Sequence, residues 1–526
     1  MKLISEPSVP IKIQRMKQRV RWQHPAILEH NIDQTVMTFD DQGREKNQEF
    51  SFMVLGDSGT KSHYGSHPQR QVTEMMLNHL EDCRFILHTG DVVYVVGSRE
   101  YYPANFIQPY REFLVGGESP EKIAYNNMTF NLPILPVLGN HDYYDVPLLY
   151  RLITGLTLPL RKKLRYKDIE IGWHGSNQGD SYARAFMDYL AAIAPSDLET
   201  HLNKHYTGKV NTGRCLNYQP GKFTRLPNRY YSFNYGGIDF FALDSNTFNT
   251  PEPLPQSRSR DLRQKLWESR RSLEQQELEI LAVYEKLDSK NPQESEQLAD
   301  LAGKLDQLNE IKLDIEKQLE NHSNADTDFE QLEWLRERLI ASWQDLNVRG
   351  RVLFFHHPPY VTEATKWQQG QTLAVRHRLR EVLEQVRVAL GNMEREITGG
   401  RPLVDLVFNG HAHCLEFLKT TDTGYGDSAI NYIVCGGSGR RPRRQREEGT
   451  ELLEDFSDHD NDHRRKVADS LLYVGRTGYD LETKKPYSCA RVDVKAGIPP
   501  QFVITPLVTE LIEGKWCNKQ LDAIII

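Results

Sequence analysis

Long hydrophobic runs, paired cysteines and a dominant charge are what this 526-residue sequence lacks. No apolar stretch approaches the roughly 20 residues that cross a bilayer, so no membrane partner is expected. The tail LDAIII is too short to anchor anything. The N-terminus MKLISEPSVPIKIQRMKQRV is basic but has no continuous apolar segment, which excludes a convincing secretory signal. Six cysteines are scattered at 83, 215, 414, 435, 489 and 517, with no CxxC. Disulfide frameworks belong to small secreted domains, so these read as reduced thiols in a cytoplasmic protein. A net charge of −7 gives no general attraction to nucleic acid or to an anionic surface.

The chain is too long for one compact core, so two domains, or one with large insertions, are expected. Residues 1–48 are polar and weakly patterned and read as an irregular extension. From residue 50 the pattern is strand (50–56), helix with Val72, Met75, Met76 and Leu80 on one face, then strand (84–90). That is a βαβ unit and predicts a parallel sheet. Further strands are predicted at 133–138, in RYYSFNYGGIDFFALDS (229–245), in RVLFFHH, and at 403–408, 415–420 and 430–435. Helices are predicted over YARAFMDYLAAIA (182–194) and over 328–343. The spans 49–256 and 327–440 read as one catalytic domain, with 441–526 supplying a charged loop and strands that complete it.

One segment has almost no aromatics. Between 257 and 326 the sequence is rich in Leu, Glu, Gln, Lys and Arg, and NPQES at 291–295 interrupts it. Leu298, Leu301, Leu305, Leu308, Ile315 and Leu319 step by three and four, with Lys312 in the missing place. Two antiparallel, coiled-coil-like helices are predicted, each on the order of 40 Å long. They read either as a solvated hairpin that lengthens a connection or as an arm for a protein partner or for self-association.

Five apolar strands end in metal-binding residue types: Asp57; Asp91 with Tyr94; Asn140 with His141; His356 with His357; and His411 with His413. Ligands bind outside the carboxyl ends of strands in an open parallel sheet, so five such endings converge. Asp, Asn, Tyr and His supply donors that suit Fe, Mn and Zn.

The blocks GDSG, GDVVY, GNHD, FFHH and GHAH resemble the five-block signature of the purple acid phosphatases, within the calcineurin-like metallophosphoesterases. The hairpin YYSFNYGGIDFFALDS and the helix QLEWLRERL are also similar to that family. The resemblance spans roughly 50–245 and 327–436. It implies an α/β fold, a two-sheet αββα sandwich with the helical hairpin inserted. It implies two metal ions, one on Asp57, Asp91, Tyr94 and His413, the other on Asp91, Asn140, His356 and His411. It also implies a metal-bridging hydroxide that attacks a phosphate ester in line. Many relatives outside the purple group carry a histidine ligand where this chain has Gly59; Tyr94 is placed to replace it. A phenol ionises near pH 10, so a phenolate ligand argues for Fe³⁺ beside divalent Fe, Mn or Zn. If Tyr94 is instead a core aromatic, the pair would be plain Mn or Zn.

His141 is the expected proton donor, with Asp142 either its support or a helix cap. Adjacent residues alternate faces, so His357 points away from the metals or lines the substrate entrance. The loop KSHYGSHP (61–68), including His63, and the run GRRPRRQR (439–446), including Arg440 and Arg441, are candidate substrate contacts or plain solvated loops. DFSDHDNDH (455–463) is acidic but lacks regular ligand spacing. The expected activity is hydrolysis of phosphomonoesters, acid-phosphatase-like. A phosphodiesterase or nuclease with the same site is the alternative, nucleic acid being disfavoured by the net charge. A scaffold protein with a vestigial metal site is the third reading.

Overall fold

The computed structural model describes residues 5–59, 67–146, 174–253, 259–284, 286–288, 291–320, 326–391, 397–458, 461–478 and 483–526. In chain order the first strands are β1 (Ile32–Phe39), β2 (Phe50–Leu55), β3 (Cys83–His88), β4 (Ile134–Pro136), β5 (Gly208–Val210) and β6 (Gly213–Tyr218). Then come β7 (Tyr231–Tyr235), β8 (Ile238–Ala242), β9 (Gly350–Phe354), β10 (Leu406–Asn409), β11 (Leu415–Thr420) and β12 (Asn431–Cys435). The last six are β13 (Glu451–Asp458), β14 (Asn461–Val474), β15 (Tyr487–Val494), β16 (Phe502–Ile512), β17 (Lys515–Gln520) and β18 (Ile524–Ile525).

They form two sheets. One has 11 strands in the order β13-β14-β11-β12-β10-β9-β8-β7-β1-β6-β5. The other has seven, in the order β17-β16-β15-β2-β3-β4 with β18 on β16. The pairs β2–β3, β3–β4, β8–β9, β9–β10 and β10–β12 are parallel, as the βαβ pattern requires. Every residue of β2, β9 and β10 is buried, which explains why they read as continuous apolar runs rather than alternating ones.

The sheets face each other through aromatic contacts. The ring of Phe52 lies 5.5 Å from that of Phe240 and 6.0 Å from that of Phe408, both edge-on. Outside the larger sheet a second core joins Leu335, Leu339, Leu379 and Leu383 to Leu353 and Val434. Those leucines come from the helices Phe329–Gln344 and Gly370–Leu390. The helix Pro68–Leu77 covers the smaller sheet, packing on β15 and β16. The order is helix, sheet, sheet, helix, the αββα sandwich.

The β7–β8 hairpin turns at Gly236 and Gly237 with φ of 58° and 77°, values that favour glycine at both positions. Among the described residues no helix is long and apolar enough to cross a membrane.

Three sequence expectations change. The N-terminal extension is ordered: Val9–Arg19 is a helix, Pro25–Glu29 another, and β1 pairs with β6 and β7. Its pattern was masked because Lys12 and Arg19 are buried alongside Val9 and Met16. The helix expected over 182–194 stops at Phe186, because Met187 bridges to Leu226 and Asp188 turns to accept from Tyr206 at 2.9 Å. The charged stretch beyond 440 holds the long antiparallel pair β13–β14, which takes in 455–458 and 461–463 of the DFSDHDNDH segment; its residues 459 and 460 lie outside the described residues.

The insertion forms two helices, Ser259–Tyr284 and Pro292–Glu320. Leu273 and Ile280 of the first bury against Leu308, Ile315 and Leu319 of the second. Lys312, the polar residue in the apolar seam, pairs with Glu277 across the hairpin. The second helix lies against the sandwich rather than standing off it: Asp314 accepts from the backbone N–H groups of Gly370 at 2.8 Å and Gln371 at 2.9 Å.

Candidate metal centre

Asp57, Asp91 and His411 each follow a strand and a glycine, and each has a positive φ, 54°, 54° and 65°. Non-glycine residues are uncommon there, and such strain concentrates at functional sites. The turn aims each side chain across the end of its sheet. The Gly139–Asn140 turn does the same with ordinary geometry and starts the short helix Asn140–Tyr143. Gly139 admits no side chain, since a Cβ there would lie 2.1 Å from Asp91 Oδ1.

The seven side chains singled out as metal-binding types meet in one buried cluster. Tyr94 Oη donates to Asp57 Oδ1 at 2.9 Å or to Asp91 Oδ2 at 2.8 Å, and stands 3.3 Å from His413 Nε2. Asn140 Oδ1 lies 2.9 Å from His356 Nε2 and 3.1 Å from His411 Nδ1. His356 Nε2 is 3.4 Å from Asp91 Oδ2, which ties the two groups together. One carboxylate therefore borders both sets of donors. Gly59, two residues past Asp57, has no room for a side chain: a Cβ would meet Val92 O at 1.9 Å. The Tyr94 backbone N–H donates to the Gly59 carbonyl at 2.8 Å, which anchors Tyr94 beside this turn.

The second ring of contacts fixes orientation. His356 Nδ1 lies 2.8 Å from the Thr89 carbonyl, so it carries the hydrogen and leaves Nε2 as a lone-pair donor facing Asn140 and Asp91. His141 Nδ1 lies 2.6 Å from the Val95 carbonyl, which turns its Nε2 toward Asp91 Oδ2, 3.9 Å away. Its ring is packed between Tyr94 and Tyr144, with centroids at 4.2 and 4.9 Å.

Burial pushes the Asp57 carboxyl up to about 8, with Asp91 adding to it and His356 opposing. Burial would raise Asp91 too, but His356 and His141 beside it hold it well below the usual carboxylate range. His356 is pulled against burial to about 9 by Asp91. Burial lowers His141, opposed by Asp91. Two fully buried carboxylates, a phenol, an amide oxygen and three imidazoles facing inward make a donor set that needs positive charge among them. That is the chemistry a pair of cations supplies, so the residues fit a metal centre. Two overlapping groups, Asp57–Asp91–His356 and His356–His357–His411, have ligand atoms within 4.8 Å of one another.

Several expectations come out differently in detail. Asp142 does not support His141. Its carboxylate accepts from the backbone N–H of Gly139 at 2.9 Å and of Val92 at 3.1 Å, so it is the cap, and Val95 holds the imidazole. His357 is fully buried with Nδ1 2.8 Å from Ser245 Oγ and Nε2 3.2 Å from Asn249 Nδ2, so both ring nitrogens are engaged inside the protein. Arg441 turns from the cluster to pair with Asp300 of the inserted helix at 2.6 Å, whereas the Arg440 guanidinium lies 4.6 Å from the centre of the Tyr94 ring. His63 falls outside the described residues.

Two cations escaped the sequence reading. Lys366 Nζ is 3.0 Å from His411 Nε2, and Arg443 Nε is 3.4 Å from His413 Nδ1. Arg443 belongs to the noted arginine run; nothing local marks Lys366, which reaches the site only through the fold.

The sequence model of the calcineurin-like phosphoesterase family matches residues 50–304. No curated protein matches the chain significantly. Among solved structures, a purple acid phosphatase from yellow lupin (Lupinus luteus) seeds aligns at 12% identity and a TM-score of 0.41, over 92% of this chain and 54% of that one. The chain thus spans about half the lupin protein's length. The Plasmodium inner membrane complex anchor GAP50 aligns at 13% identity and 0.36, over 90% and 89%. PhoD aligns at 11% and 0.37, over 91% and 69%. At these identities and scores the likenesses say nothing of activity. The family match, lying on the strands that carry Asp57, Asp91 and Asn140, identifies the chain as carrying a calcineurin-like phosphoesterase domain.

Proposed function

We propose that this metallophosphoesterase is a phosphomonoesterase with two metal ions. Asp57, Asp91, Tyr94 and His413 would hold the first, and Asp91, Asn140, His356 and His411 the second. The observation that carries the reading is the position of Asp91 Oδ2, 2.8 Å from Tyr94 Oη and 3.4 Å from His356 Nε2, between the two donor sets. The phenol beside two carboxylates favours a trivalent ion, Fe³⁺, on the Tyr94 side, with divalent Fe, Mn or Zn on the other. Bound there, such ions supply positive charge to the phosphoryl oxygens and the acidity that makes hydroxide available at neutral pH.

The chain's own residues do the rest. His356 is locked by Thr89 in the tautomer that presents Nε2. Asp142 fixes the backbone on which Asn140 and His141 stand. His141, its Nδ1–H held by the Val95 carbonyl, presents Nε2 to the leaving oxygen and carries a proton there in its imidazolium form, which Asp91 favours against burial. Burial excludes bulk water from the cluster and strengthens each of these interactions.

The test is metal analysis of the purified protein, followed by assay on p-nitrophenyl phosphate and its bis-ester. Two metals and monoester turnover that disappears in Asp91→Asn support the reading. Diester-only turnover favours the phosphodiesterase alternative, and metals without turnover leave a binding role.

A further inference from the structure

The inserted helix Pro292–Glu320 closes the metal centre. The seven candidate ligands are at most 4% exposed. Leu313 of this helix packs on the cluster of Tyr94, Val95, Val96, Tyr144 and Val146, two of which, Tyr94 and Tyr144, flank the His141 ring. One face of the helix makes the contacts: Asp300 to Arg441, Arg476 and Lys485; Asp314 to the start of the helix at Gly370; Lys317 to Glu6. These positions, with 310 and 313 between them, fall largely at helical spacing.

At the centre of that face stands Glu310. Its Oε2 is 2.7 Å from Lys366 Nζ and its Oε1 3.4 Å from an Arg443 Nη. The three side chains are 9%, 1% and 9% exposed, so this is a built, desolvated anion site with a carboxylate in it. Lys366 borders His411 and Arg443 borders His413, and the charge of Glu310 acts on both His141 and His413. The anion is therefore one cation removed from two of the candidate metal-binding histidines, His411 through Lys366 and His413 through Arg443. A metal on His411 Nδ1 would leave a hydrogen on Nε2 facing the Lys366 ammonium, a donor-to-donor contact that turns the lysine toward an incoming anion.

We propose that Lys366 and Arg443 are the phosphate-binding cations of this site, and that Glu310 holds their place until the phosphate of a monoester displaces it and lifts the inserted helix. Two buried cations exchange a monoanion for a dianion when a monoester enters, and gain no charge when a diester does. The pair therefore selects monoesters, and the helix admits them only by moving. This rests on the hydrolase reading of the site, whereas the anion-binding claim can be tested without turnover.

The experiment uses the full, metal-replete chain and inorganic phosphate as probe, with calorimetry and amide hydrogen exchange. Lys366→Met and Arg443→Met should each weaken phosphate binding by roughly tenfold or more, and Glu310→Gln should tighten it by about tenfold. In the wild type, phosphate should speed exchange in peptides from 300–319; this measurement needs no variant to fold. On esters, Lys366→Met should lose monoester preference, with the bis-ester changed several-fold less. Phosphate affinity equal in all four proteins, or unchanged exchange in the inserted helix at saturating phosphate, overturns the proposal. If p-nitrophenyl phosphate is still turned over in that case, the hydrolase reading stands and only this inference falls. If phosphate affinity follows the variants but no ester is cleaved, the hydrolase reading falls and the anion site stands.

Discussion

The two sheets contribute different chemistry to one cluster. The seven-stranded sheet delivers oxygen donors: Asp57 after β2, Asp91 and Tyr94 after β3, Asn140 after β4. The eleven-stranded sheet delivers imidazoles: His356 after β9, His411 and His413 after β10. Gathered alone, the acidic side would repel itself, and the imidazole side would bury neutral rings without partners. Face to face they satisfy each other, as the His356–Asp91 and His413–Asp57 approaches of 3.4 and 3.6 Å indicate. The candidate metal centre is therefore a property of the closed sandwich and not of either sheet.

The sharpest way to break the comparison is Asp91→Asn, which removes the charge shared by both donor sets. Turnover is expected to fall at least about a thousandfold, read as kcat on p-nitrophenyl phosphate; a tenfold loss or less would mean that Asp91 is not shared. His141→Asn tests the proton donor. It should cost about a hundredfold or more on an alkyl phosphate and far less on the nitrophenyl ester, whose leaving phenolate needs no proton. Equal losses on both would assign His141 a structural role. Tyr94→Phe weakens the oxygen side alone. A visible phenolate-to-iron absorption band should vanish while the imidazole side keeps its metal, measured by absorbance and metal content; a colourless wild type containing iron would remove Tyr94 from the ligand set.

The smallest expected effect lies away from the centre, where Glu6 joins Lys12 and Lys317. Burial would raise Glu6, but the two lysines depress it from 4.5 to about 2. A depressed carboxyl stabilises the fold fully above its unfolded value and loses that contribution as pH falls through 4.5 toward about 2. Burial lowers Lys12, yet below pH 5 the partner that titrates is Glu6. Glu6→Gln should flatten that acid limb by on the order of 1–3 kcal/mol, read from thermal unfolding against pH. An unchanged limb would show that the pair does not couple to folding.

The residues that cluster at the candidate metal centre were legible because each is a local event: an apolar strand, a tight turn, then Asp, Asn or His. Tyr94 was singled out through the glycine at 59, and its hydroxyl does lie among Asp57, Asp91 and His413. Asp142 was not, since a carboxylate next to an imidazole can bond the ring or the backbone, and the short helix at Asn140 decided for the backbone. The N-terminal helix was hidden because buried Lys12 and Arg19 spoil its apolar stripe; their heads reach Glu6 and the Gln178 carbonyl. The leucine spacing of the hairpin showed two helices, and nothing in it showed where they would lie.

The sequence by itself determined which polar side chains stand at which strand ends, because strand, glycine and polar residue are neighbours in the chain. Only the tertiary structure decided that oxygen and nitrogen donors come from opposite sheets, that Lys366 and Arg443 stand over the histidines, and that Glu310 lies between them. Those contacts join residues 30 to 356 positions apart, brought together by the packing of Phe52 on Phe240 and Phe408 and of Leu313 on the cluster that holds Tyr94. Packing of that kind depends on shape across the whole core, which no local pattern encodes.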